Sequence, residues 1–177
     1  MDILICAVCA RRLTEPVGLM DAVPERPGHD GLPDPDGRRR AAATMPRGRY
    51  AVEPHRRGGP LVVCTAEEQA VYDGMYPDGP WRSDERGWLL AGGPRNQYVL
   101  HPGDVLPLAL HPELERSHGC CGPGGDDGAN RVCACGAEVA TAYADCVTPY
   151  ETLSPPAAVR VVPVGEAFGG GPDGHVL

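Results

Sequence analysis

The 177-residue chain contains no lysine: all 16 of its basic residues are arginine. It has a single phenylalanine and only two isoleucines (Ile3 and Ile5), and aromatic residues make up 5% of it. Large apolar side chains are therefore scarce, and a core built from them alone covers only part of the chain. No run approaches the roughly 20 apolar residues needed to span a bilayer, which removes a helical membrane anchor from the expectations. The opening MDILICAVCARR has no basic n-region, and its short apolar run ends at Arg11 and Arg12, so no secretion signal is read there. The expected setting is cytoplasmic, where thiols stay reduced and a cysteine framework reads as metal-binding or catalytic rather than as disulfides.

Abundant are 24 Gly and 20 Pro, about a quarter of the chain and near the range where low-complexity segments begin. The formal net charge is −8, so the overall field opposes approach to phosphate. Half of the arginines nevertheless lie between Arg26 and Arg57. That basic stretch is the basis for a less favoured nucleic-acid or transcription-machinery reading. Because the chain lacks lysine altogether, a solvated arginine-rich loop from a GC-rich genome explains it equally well.

The pattern along the chain is mainly β (small α+β). DILICAVCARRLTEPV reads as strand, tight turn, strand. Residues 21–48, dense in Pro, Gly and charge, read as a disordered loop. RYAV and PLVVC read as strands. TAEEQAVYDGMY reads as a short helix opened by a Thr65/Glu68 capping box. GWLLAG and NQYVLHP read as a hairpin, DVLPLAL as a strand and HPELERSH as one helical turn with Pro112 at its start. AAVRVVPV supplies a last strand. The expected organisation is one metal-clamped domain over 1–165 and a flexible tail over 166–177.

The eight cysteines carry the chemistry. ILICAVCARRLT and NRVCACGAEVAT match each other: an aliphatic strand, a cysteine (Cys6; Cys133), a tight turn, a second cysteine (Cys9; Cys135) and a returning strand. Two such knuckles face to face make a zinc-ribbon-like clamp of N- and C-terminal hairpins, because a short Cys-turn-Cys sets two thiolates on one side of a tetrahedral ion. The second knuckle departs from the usual spacing, with one residue between its cysteines rather than two. Gly136 suits a turn needing positive φ. Expected Zn2+ ligands are therefore Cys6, Cys9, Cys133 and Cys135. A second ion could take His118, Cys120 or Cys121 (Cys121 preferred, since adjacent cysteines do not easily both ligate one tetrahedral ion) and Cys146, with His101, His111 or Cys64 as fourth ligand. The alternative is one site that draws on Cys121 and Cys146 in place of a knuckle member. Cys64, closing an apolar run, reads more readily as core than as a ligand.

CAVCARRL and HGCCGPGGDDGANRVCACGAEVATAYADC together resemble an uncharacterised family of small actinobacterial cysteine-rich, zinc-ribbon-like proteins. The resemblance covers the first dozen or so residues and about 118–153. It implies that the two ends form one unit, and it implies no activity.

Three functions follow as expectations. The first is a non-catalytic zinc protein with one or two ions that binds a protein partner. The second is an enzyme using His118, Cys120 or Cys121 with Asp126, Asp127 or Asp145; no nucleophile elbow, HExxH helix or phosphate loop supports it. The third is the nucleic-acid binder. Cys120–Cys121 also reads as a vicinal dithiol that senses metal, metalloid or oxidant, since adjacent thiols capture soft ions, or as a pair that supplies one zinc ligand.

Overall fold

A computed structural model describes residues 1–28, 30–68 and 82–167. Among them the chain is mainly β, in three sheets. In chain order the strands are β1 (Asp2–Cys6), β2 (Gly18–Leu19), β3 (Arg49–Glu53), β4 (Leu61–Val63), β5 (Arg82–Asp84) and β6 (Gly87–Ala91). They continue with β7 (Gln97–Leu100), β8 (Ala109–Leu110), β9 (Arg131–Val132), β10 (Glu138–Tyr143), β11 (Glu151–Ser154) and β12 (Val159–Pro163). The largest sheet has seven strands in the order β2-β3-β7-β11-β10-β9-β8. β1 pairs with β12 in a ribbon of its own, and β4-β6-β5 form the third sheet.

Alternation along the central strands separates two cores. Tyr50 and Leu100 face a cluster with Leu4, Leu13, Val17, Val139 and Val159, while their neighbours Ala51 and Val99 face Met45, Tyr143 and Leu153. Val139 and Tyr143 have the same parity on β10 yet serve opposite clusters. The register shift between Glu138 and Ala140 accounts for this: a bulge re-aims Val139 toward the first cluster. That cluster also contains Cys6 and Cys133, so the first cysteine of each knuckle is part of the hydrophobic core.

GWLLAG and NQYVLHP do form strands, β6 and β7, but not the expected hairpin: β6 pairs with β4 and β5, and β7 with β3 and β11. The link between them turns away at Gly92 and Gly93, whose N–H groups donate to Pro60 O and Gly58 O. A Cβ at Gly93 would collide with the Arg57 carbonyl, so the crossing requires glycine there.

Segment 21–48 contains no strand among its described residues. It bridges Ala43 to Tyr150 and buries Ala41 and Met45. The Thr65/Glu68 capping box forms with reciprocal bonds of 2.9 and 3.1 Å, and the remainder of the expected helix lies outside the described residues. HPELERSH gives a 3-10 turn over Leu114–Ser117, later than Pro112. Of the tail, Val164–Ala167 form one helical turn, and residues 168–177 lie outside the described set.

Candidate metal centres

The two knuckles meet. β1 delivers Cys6 and β9 delivers Cys133, and each chain then turns back on itself. In the first turn Ala10 N–H donates to Cys6 O; in the second Gly136 N–H donates to Cys133 O. The residue after each second cysteine is left-handed, Ala10 at φ 58° and Gly136 at φ 86°. The turns are thus related pieces of backbone despite their different lengths.

Their sulfurs interleave. Cys6 Sγ lies 3.7 Å from Cys135 Sγ and Cys9 Sγ lies 3.6 Å from Cys133 Sγ, with all four within 4.8 Å of one another. Four thiolates about 2.3 Å from a tetrahedral ion stand about 3.8 Å apart, so the cage has the dimensions of such an ion. Cys6 and Cys133 are buried and Cys9 and Cys135 exposed, which places the cage at the edge of the core.

Burial pushes the Cys6 thiol up, but N–H groups of Cys9 and Val8 and the neighbouring thiols pull it down to about 7. At Cys135 the Ala137 N–H favours the thiolate, yet the crowding thiols of Cys9 and Cys6, with some burial, raise it on balance. Within one cage, then, Cys6 ionises more readily than Cys135. Stabilisation of a cysteine sulfur by backbone N–H is the outer-sphere support that metal-binding knuckles use.

A second group joins Cys120, Cys121 and Cys146, also within 4.8 Å of one another. The adjacent pair both enter, their sulfurs 3.8 Å apart. Asp145 fastens the two segments together. Its Oδ2 accepts from Cys121 N–H at 3.0 Å, and its Oδ1 accepts from Val147 N–H at 3.2 Å and the Cys146 thiol at 3.5 Å. Burial opposes its charge, but those N–H donors hold the Asp145 carboxyl below its ordinary value. The Cys146 thiol is pushed up to about 12, first by its hydrogen bond with Cys121, then by burial and by Asp145. Gly119 and Gly122 make the approach possible, since a Cβ on either would strike a carbonyl oxygen, of Gly122 and of Ala144 respectively.

Set against protein-family models, curated proteins and solved structures, the chain returns no match. Two separate groups of cysteines can each hold a metal ion.

The remaining residues singled out from the sequence lie elsewhere. His118 is exposed and outside the second group; its backbone N–H donates to Glu115 O. His101 Nδ1 accepts from Gly103 N–H and its ring meets Tyr150 edge-on at 6.3 Å, with burial lowering its pKa. His111 is held between Glu113 N–H and Glu138 Oε1. Cys64 is buried, its thiol donating to Thr65 O, and burial raises its pKa. Asp126 lines a cleft with Arg57, Gly58 and Tyr143, its pKa raised first by burial and then by Asp127.

Sequence reasoning did not find Asp145 as an organiser of the thiols or Ala10 as the counterpart of Gly136. The first had a signal, an aspartate directly before a cysteine, a residue type that commonly accepts nearby backbone N–H bonds. The second had none, because alanine rarely adopts positive φ.

Proposed function

We propose that this chain is a non-catalytic zinc-binding protein in which Cys6, Cys9, Cys133 and Cys135 hold one structural Zn2+ that clamps its two ends, leaving the rest of the surface to a protein partner. The observation that carries this reading is the interleaved cage of four sulfurs, two of them in the core, at separations suited to tetrahedral coordination. An all-thiolate shell leaves zinc no open position, which favours structure over catalysis. All eight cysteines are free, in keeping with a reducing, cytoplasmic setting.

Partner binding draws support from Val62, Val63 and Trp88, exposed apolar side chains on the small sheet. The nucleic-acid alternative is weakened because arginines of the basic stretch are engaged internally. Arg26 binds Glu53 and Glu151, Arg47 binds Asp104, Arg56 binds Glu68 and Arg57 binds Glu151. The enzyme alternative lacks its Cys–His pair, since the His118 ring forms no hydrogen bond to either neighbouring thiol among the described residues. Asp145, held ionised by N–H donors, is a poor general acid.

Metal analysis of the purified chain tests the proposal. One tightly held zinc per chain, lost in both Cys9→Ser and Cys135→Ser, is expected. A zinc content unchanged by these two substitutions, or none in the unaltered protein, overturns it.

A further inference from the structure

The two centres differ in how completely they enclose an ion. The cage of Cys6, Cys9, Cys133 and Cys135 supplies four ligands. The group of Cys120, Cys121 and Cys146 closes at three, and among the described residues no imidazole or carboxylate joins it. The nearest carboxylate, Asp145, is committed to Cys121 N–H and Val147 N–H. Cys146 forms the buried floor, while Cys120 and Cys121 stand exposed at the rim. The result is a tripod of soft donors, fixed from below and open to solvent above.

From this geometry we infer that Cys120, Cys121 and Cys146 form a capture site for a trivalent metalloid, of the arsenite and antimonite class. The inference goes beyond the structural zinc reading and does not depend on which metal fills the clamp. Thiolates select soft ions. A tetrahedral divalent ion in this tripod needs a fourth ligand from outside. A trivalent metalloid needs three bonds only, in a pyramid whose apex carries its lone pair, and that pair can point through the open face. The vicinal thiols engage the ion first because they are exposed and 3.8 Å apart. Cys146 then completes the pyramid from the buried side.

The chemistry balances without a redox partner. Arsenous acid, As(OH)3, exchanges its three As–O bonds for three As–S bonds to the cysteines. Each thiol proton leaves on a departing hydroxide as water, and arsenic keeps its oxidation state. Asp145 positions the tripod by fixing the Cys121 backbone beside Cys146, and it does not bond the ion.

The test uses full-length, reduced, zinc-loaded protein titrated with sodium arsenite. It is read by intact-mass spectrometry, by the ultraviolet absorption of As–S bonds, and by zinc content in parallel. One arsenic per chain with the clamp's zinc retained is the expected result. Cys120→Ser, Cys121→Ser and Cys146→Ser should each abolish the stoichiometric adduct while keeping zinc and an unchanged circular dichroism spectrum, which separates site loss from misfolding. An adduct that survives Cys146→Ser at full strength overturns the tripod, because a vicinal dithiol alone then suffices. The proposal also fails if a second zinc occupies these cysteines and arsenite does not displace it, or if arsenite enters only by expelling the clamp's zinc. Absence of zinc from the starting protein defeats the clamp reading instead, and the two failures are thereby distinguishable.

Discussion

Replacing Cys9 with serine should unlock the clamp without hollowing out the core. Cys9 is exposed, whereas its cage neighbours Cys6 and Cys133 are 0% and 2% exposed and pack in the first core cluster. A stability loss in Cys9→Ser therefore reports on the ion and not on packing. The clamp joins positions 124 residues apart, from Cys9 to Cys133. Closing a loop of that length in the unfolded chain costs about 5 kcal/mol on the chain-entropy account of cross-links. For a chain of this size each kcal/mol moves the melting temperature by about 2–4 °C, so Cys9→Ser should melt about 10–20 °C below the zinc-loaded parent.

Differential scanning calorimetry with and without a chelator supplies the assay. Chelation should lower the parent to the level of Cys9→Ser and leave the variant itself unmoved. Cys135→Ser should behave the same way, and combining the two should add little, because both remove one interaction. If Cys9→Ser melts within about 2 °C of the parent, or if chelation lowers it as much as it lowers the parent, the cage is not a cross-link and the reasoning is refuted.

Other parts of the fold give independent tests. Tyr50 donates to Asp2 Oδ2 at 3.0 Å, and burial followed by that bond raises its pKa from 10.0 to about 12. A raised folded pKa means the contribution is intact below pH 10 and is lost as pH climbs toward 12, so the parent should lose stability over that window. Tyr50→Phe should show a shallower decline, the remainder coming from the buried Tyr143, whose phenol pKa burial also raises. Arg26→Met leaves the buried carboxylates of Glu53 and Glu151 short of a cation. It should cost about 3 kcal/mol in urea unfolding, part of which Glu151→Gln in the same chain restores; a cost below about 1 kcal/mol would show that Arg57 suffices. Ala10, at φ 58°, occupies a region that penalises any Cβ by about 1–2 kcal/mol, so Ala10→Gly should raise stability by about 0.5–1 kcal/mol after the added freedom of the unfolded chain is subtracted. A melting temperature lowered by Ala10→Gly would contradict that account.

The parts legible in the sequence were those whose determinants are local. A knuckle is a few residues long, and both were readable from cysteines flanked by aliphatic strands. The capping box at Thr65 and the left-handed turn at Gly136 were readable for the same reason. Strand β11 was not. Its residues Glu151, Thr152, Leu153 and Ser154 are all buried although three are polar, so neither alternation nor hydrophobicity marks it. What allows a buried Glu151 in the middle of the seven-stranded sheet is a pair of arginines, Arg26 and Arg57, that arrive from far away in the chain. Likewise β6 and β7 looked like hairpin arms because strand character is local, whereas the turning away at Gly92 and Gly93 depends on contacts with Gly58 and Pro60.

The same distinction bears on the two centres. Knuckle sequences alone suggest which cysteines share an ion, since each turn presets one pair of sulfurs. For Cys120, Cys121 and Cys146 no turn does this. Their convergence depends on Asp145 bonding to the Cys121 backbone from 24 residues away and on two glycines that let the loop pass close to carbonyls. An assembly held by one carboxylate and an open loop is easier to rearrange than one built into the core beside Leu4, Val139 and Val159. Rapid exchange of ligand is therefore expected at the tripod and slow exchange at the clamp. In the arsenite-loaded protein, a competing dithiol should remove arsenic from Cys120, Cys121 and Cys146 well before the zinc of Cys6, Cys9, Cys133 and Cys135 is lost.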